Sequence, residues 1–314
     1  MRPYKTCVRV DAERAKLRIA VTGASGLLGC VVVEAAAARG HTVIVGVHQA
    51  RCSWPTEVMV VPIDLTIPRS VEKFIERAEP DWVVHTAAMT DVDRCELKPA
   101  DAIIANVAAT RHLVEAVQTA PTRLVYLSTD YVFDGESGPY REDDPPNPIN
   151  MYGRTKRAGE VAVLESDTRH VVVRSASFLG AGSSGRRTFV ETMVERMRTG
   201  PPLQAAVDQF ANVTPVGYLA AALVEICERG LTGIWHVAGR EVISRYELAR
   251  QLAELFAFPA DVVQPVKYGE LSRPARRPLR GGLCVDKAAE ALSIAAPSLS
   301  EALSAWKAVA FPSS

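Results

Sequence analysis

The chain has 314 residues, with 36 basic and 36 acidic side chains, so its formal net charge is zero. That balance argues against a bulk electrostatic binder of nucleic acid or of a membrane surface. The 48% hydrophobic content is that of an ordinary globular protein, long enough for one large α/β domain and a smaller part. No apolar run reaches the ~18 residues of a membrane span.

Residues 1–16 are charged and fit no pattern, which points to a peripheral extension without an export signal. The six cysteines form no C-x-x-C pair, so they read as reduced thiols of a cytoplasmic protein. The six histidines show no H-x-x-H spacing, and no metal site is expected.

Leu17–Thr22 reads as the first strand and Gly26–Arg39 as its helix, stopped by Gly40. His41–Val47 and Val58–Ile63 follow as strands, then a helix at Ser70–Ala78 and an apolar strand at Asp81–Thr86. Pro99–Thr119 reads as one long helix, Arg123–Ser128 as a strand, Asn150–Glu165 as a helix and His170–Arg174 as the sixth strand. This alternation predicts an α/β fold, a Rossmann-type doubly wound parallel sheet. After Arg174 the rhythm changes. Helices at 187–199, 216–229, 244–256 and 298–309, with a short strand at 234–237, predict a smaller α/β C-terminal substrate-binding part. The division falls near residue 180, giving 1–16, 17–180 and 181–314, with chain crossings between the last two. Residues 270–282, rich in Arg, Pro and Gly, read as a loop.

The stretch from Gly23 to Gly29 links the first strand to its helix. Gly23 suits the tight turn, Gly26 the close approach of backbone to a diphosphate, and Gly29 close helix–strand packing. A plain structural turn is the competing reading, because the spacing is G-x-x-G-x-x-G. The second strand ends in His48-Gln49-Ala50-Arg51 with no acid to bind an adenosine ribose. His48 and Arg51 suit a 2′-phosphate, so NADP(H) is preferred and NAD(H) remains open. Arg51 as a solvated loop charge is the plainer alternative. Asp64 either accepts a hydrogen bond from the adenine amine or is a turn aspartate.

Tyr152 and Lys156 are spaced i, i+4 on one helix face, behind Asn150 as a cap. An ammonium there favours phenolate and makes the tyrosine a proton donor or acceptor. Thr129, at the carboxyl end of the fifth strand, is placed to hold a substrate oxygen. Ala87 and Ala88, after the fourth strand, leave room for a cofactor.

The glycine turn, Ala87-Ala88, Asn106 and Tyr152-x-x-x-Lys156 resemble the extended short-chain dehydrogenase/reductase superfamily. Within it, segments 88–96, 128–135, 139–144 and 148–160, with Asp208-Gln209-Phe210, resemble the dTDP-4-dehydrorhamnose reductase family. The resemblance implies hydride transfer from a nicotinamide to a 4-keto group on a nucleotide-linked 6-deoxysugar. It gives Tyr152 the proton, Lys156 the nicotinamide ribose and Thr129 the keto oxygen. It sets Gly23, Ser25, Gly26, Leu28 and Gly29 around the diphosphate, and Asp64, Leu65, Ala87 and Ala88 along the adenosine. Asn106 is architectural in that picture. Asp130, Phe133, Arg273 and Arg276 are the candidate substrate contacts, the arginines for a nucleotide diphosphate. A homodimer is common in the superfamily.

Two departures fall on the sugar pocket. Ser177 stands where such reductases carry a tryptophan, and residues 211–219 differ from their usual pattern. Two further functions stay open: another epimerase or dehydratase of the superfamily, and a non-catalytic NADP-binding subunit like that of methionine adenosyltransferase. Tyr131 after Asp130, in place of a second carboxylate, counts against a dehydratase.

Overall fold

The computed structural model describes residues 16–48, 54, 57–181 and 188–311. A seven-stranded parallel sheet forms the centre. Its first strands are β1 (Arg18–Thr22), β2 (Thr42–Val47), β3 (Met59–Pro62) and β4 (Trp82–His85). Then come β5 (Arg123–Thr129) and β6 (Val171–Ser175). They lie in the order β6-β5-β4-β1-β2-β3, with every neighbouring pair parallel. Runs such as Ile19-Ala20-Val21 and Val83-Val84 are wholly buried, which is why these strands are continuously apolar.

Helix α1 (Leu27–Ala38) covers one face, and α2 (Pro68–Ala78) covers the other. The expected single helix from Pro99 is broken into three pieces. After a short α3 (Val92–Leu97) come α4 (Pro99–Ile103), one π-helical turn (Ile104–Ala108), and α5 (Ala109–Gln118). The wide turn carries Asn106, which is buried. Its amide accepts from Met89 N at 2.7 Å and donates to Met89 O at 3.1 Å and Thr155 Oγ1 at 3.0 Å. Thus Asn106 ties the loop after β4 to α6 (Met151–Ser166), a use of π-turns common at functional sites. Asn150 caps α6 as expected, accepting from Gly153 N at 2.9 Å.

Beyond β6 lie β7 (Phe178–Leu179), α7 (Phe189–Thr199), β8 (Leu203–Ala206), β9 (Phe210–Asn212) and β10 (Thr214–Pro215). Helix α8 (Val216–Arg229) and strand β11 (Gly233–His236) follow. The chain then crosses back. Helix α8 packs along α1, and β11 pairs parallel with β6 as the seventh strand of the central sheet. The remaining elements are β12 (Val242–Ser244), α9 (Arg245–Leu255), β13 (Val263–Val266), α10 (Asp286–Ala291) and α11 (Leu299–Ala310). Ser244 caps α9 and Ser298 caps α11, each with a reciprocal glutamate three residues on. Three short strand pairs, β7–β10, β9–β12 and β8–β13, build the smaller part. Its own core gathers Leu179, Val194, Leu248, Leu252, Leu303 and Trp306.

Candidate active site

The cleft opens beyond the carboxyl ends of the strands, between the sheet and the smaller part. Its volume is about 1770 Å³, with a second arm of about 670 Å³ sharing Gly23, Ser25 and Ala88. A pocket for one drug-sized ligand is ~300–1,000 Å³, so there is room for two.

The glycine turn forms the floor. Gly23 sits at φ +73°, and a Cβ there would lie 2.5 Å from Ala87 N. A Cβ on Gly29 would lie 2.2 Å from the Gly23 carbonyl oxygen. Only glycine lets α1 start this close to β1 and β4. At Gly26 a Cβ would meet only the Gly23 carbonyl, at 3.2 Å, so its other side is free for a ligand. The turn therefore fits a dinucleotide diphosphate. Gly29→Ala is expected to lower affinity for NADPH at least about tenfold and to destabilise by about 1–3 kcal/mol, as overpacking does. Fluorescence titration and thermal melting read the two effects; wild-type affinity would show that the turn is not the cradle.

Gly23, Ser25, Gly26, Leu28 and Gly29 line the main cleft, and His48, Asp64, Leu65, Ala87 and Ala88 line the smaller arm. Arg51 lies outside the described residues. The turn reading of Asp64 has its counterpart: Oδ1 accepts from Thr66 N and Oγ1 at 2.9 and 2.7 Å, while Oδ2 faces His48 Nε2 at 3.3 Å.

Thr129, Asp130, Tyr152 and Lys156 meet on one wall of the cleft. Tyr152 stands edge-on to Tyr131, with ring centres 5.7 Å apart. Burial pushes its phenol up, opposed by the Thr129 hydroxyl. The expected depression by an ammonium does not dominate in the free protein, because burial of the phenol itself outweighs it. Lys156 is 3% exposed, and its Nζ lies 4.1 Å over the Tyr126 ring. Burial pulls its amine down to about 7, with Glu160 opposing. Neighbouring His85 is held neutral between Thr22 Oγ1 at 2.7 Å and Thr110 Oγ1 at 3.2 Å. Burial, then the Lys156 charge, bring it to about 3.

Asp130 accepts from Thr129 Oγ1 at 3.1 Å. Burial pushes its carboxyl up to about 6, while the Thr129 hydroxyl and the Arg245 guanidinium pull it down. A raised carboxyl means that the folded state holds the proton more tightly. The resulting penalty is absent below about pH 4, grows through about pH 6 and is full above it. Asp130→Asn should therefore raise the melting temperature of the free protein at pH 8 and leave it nearly unchanged at pH 4. An equal shift at both values would show that the carboxyl is not the cause.

Two candidate contacts need correction. Phe133 is wholly buried, stacked on Tyr140 at 4.3 Å among Val132, Ala238, Leu283 and Val285, and does not line the cleft. Arg276 is exposed and lines neither arm; only its carbonyl is engaged, by Asn150 Nδ2 at 2.9 Å. From the same loop, Arg273 and Arg277 line the cleft. Arg277 is fixed by Asp93 Oδ1 at 3.0 Å, which also accepts from Ala275 N. Sequence reasoning missed Arg245, whose Nη2 donates to Ser177 Oγ at 2.7 Å and whose guanidinium lies 5.0 Å over Phe189. The position of the missing tryptophan thus carries a polar pair on the cleft wall.

The family described as RmlD substrate binding domain matches residues 17–309. The chain belongs to that family. It is 35% identical to the dTDP-4-dehydrorhamnose reductase of Mycolicibacterium smegmatis, over 90% of this chain and 84% of that protein. It is 31% identical to methionine adenosyltransferase 2 subunit beta of Mus musculus, over 83% and 79% of the two chains. A crystal structure of dTDP-4-dehydrorhamnose reductase from Bacillus anthracis in complex with NADP superposes with a TM-score of 0.80. That comparison covers 93% of this chain and 99% of the other, at 28% identity.

Proposed function

We propose that this member of the family is an NADPH-dependent reductase of a nucleotide-linked 4-keto-6-deoxysugar. The observation that carries the reading is the meeting of Thr129, Tyr152 and Lys156 in the cleft that the glycine turn opens. A bound nicotinamide supplies the hydride. Tyr152, kept protonated by burial, gives its proton to the oxygen that becomes an alkoxide. Thr129, its hydroxyl turning from Asp130, presents a second donor to that oxygen. Lys156 offers its ammonium to the nicotinamide ribose. His48 and Asp64 flank the adenosine end. Arg273 and Arg277 carry the positive charge that a sugar nucleotide's diphosphate requires.

Beside Asp130 the chain offers Tyr131 where elimination of water would use a second carboxylate, which supports reduction over dehydration. The reading carries with it a cytoplasmic location and a homodimeric assembly, the latter checked by light scattering. The experiment is oxidation of NADPH at saturating dTDP-4-keto-6-deoxyglucose, beside NADH. Turnover favouring NADPH supports the reading. The likeness to a methionine adenosyltransferase subunit supports a second one, a non-catalytic NADP-binding subunit. Tight NADPH binding without turnover on any ketosugar nucleotide, together with capture of a methionine adenosyltransferase, would favour it.

A further inference from the structure

Glu160 is wholly buried, one helical turn beyond Lys156 on α6. Four donors reach it. Ser128 Oγ lies at 2.6 Å from Oε1, Arg174 Nε at 2.8 Å from Oε1, Arg174 Nη2 at 2.9 Å from Oε2 and Arg157 Nη1 at 3.0 Å from Oε2. These partners belong to the elements that carry the site. Ser128 precedes Thr129 at the end of β5, Arg174 is the last residue but one of β6, next to the cleft wall at Ser175–Ser177, and Glu160 shares its helix with Tyr152 and Lys156. Arg174 is itself locked, donating to the Glu142 carbonyl at 3.3 Å and facing His236 Nε2 at 3.4 Å. His236 directs Nδ1 at the Tyr140 carbonyl, 3.1 Å away, so it is neutral and adds no charge.

We infer that Glu160 is a positioning residue of the reaction: its buried carboxylate holds the proton on Lys156 and fixes the ends of β5 and β6 against α6. This rests on the reductase reading for its kinetic consequence, but not for the charge coupling itself. Among the described groups facing Lys156, Glu160 alone favours the ammonium through its charge. His85 on β4 is neutral and dislikes a nearby cation. Tyr126 on β5 is a protonated phenol, offering its ring face. Tyr152 on α6 is a protonated phenol as well. Arg174 on β6 and Arg157 on α6 are cations, spent on Glu160. Burial lowers the amine and the carboxylate restores it, so the balance is set close to neutral pH. Glu160 keeps its negative charge despite the opposing effect of burial, through Arg174, Ser128 and Arg157.

The test replaces Glu160 by Gln, which keeps the size but removes the charge and turns one of its two acceptors into a donor. The ¹³Cε signal of Lys156, assigned by its loss in Lys156→Met, is titrated in the free protein. The midpoint in E160Q should fall, because an opposite charge one helical turn away in the buried interior is removed. The alkaline limb of kcat/KM for NADPH-dependent reduction should move down by the same amount. A purely structural role would scale the whole profile and leave both midpoints in place, which overturns the proposal. If E160Q does not fold, Arg157→Gln gives the opposite sign. It removes a partly exposed cation from the carboxylate and should raise the Lys156 midpoint; an unmoved midpoint overturns the proposal. Because the signal is read without substrate, absence of turnover in the wild type would count against the reductase reading and not against the coupling.

Discussion

Tyr152→Phe is expected to lower kcat for ketosugar reduction by about 10²–10⁴-fold, the usual worth of a positioned general acid. The substitution removes one oxygen. The ring keeps its edge contact with Tyr131 at 5.7 Å, and the helix keeps its Asn150 cap. NADPH binding should stay within about threefold, because nothing at the glycine turn changes. The phenol is raised by burial, so it is protonated across the physiological range and is the proper form for donating a proton. Thr129 alone cannot replace it, since an aliphatic hydroxyl is a far weaker acid. The measurement is NADPH oxidation beside a fluorescence titration of the cofactor. Activity within a few-fold of wild type would move the proton donor elsewhere on the cleft wall.

Arg174→Ala should destabilise the protein by about 3–5 kcal/mol, the cost of stranding a buried charge. Arg174 is 1% exposed and gives two hydrogen bonds to Glu160, which has no exposure at all. The melting temperature should fall by roughly 2–4 °C per kcal/mol. The pH dependence identifies the cause. In the wild type the Glu160 carboxyl is lowered, so its contribution is present above the unfolded pKa and lost as pH falls through the folded one. In the variant the stranded carboxyl is raised, and protonating it relieves the penalty. The deficit should therefore narrow from pH 8 to pH 5. A deficit independent of pH would assign the loss to packing against Phe133, 5.0 Å beneath the guanidinium.

The central sheet was legible because parallel strands buried on both faces are written as apolar runs, and their turns as glycine and polar residues. The glycine turn and the Tyr152–Lys156 spacing were legible for a similar reason: each is a local pattern with a local geometric meaning. What was hidden depended on partners distant in sequence. The π-turn at Asn106 exists to reach Met89 and Thr155, 17 and 49 residues away. Phe133 stands near Thr129 in sequence, but the turn after β5 sends it into a core with Leu283 and Val285. Among the arginines after Leu271, the two that line the cleft, Arg273 and Arg277, both face Asp93, about 180 residues earlier, and composition holds no record of that choice. Arg245 fell inside the expected helix 244–256, and its approach to Ser177 gives it a place at the site.

The return of the chain through α8 and β11 has a consequence for biosynthesis. The outer edge of β6 and the exposed side of α1 stay bare until residues 216–236 have been made. The first 180 residues therefore emerge from the ribosome without the edge strand and the helix that complete their sheet, and those contacts come from a segment on the far side of the substrate-binding loops.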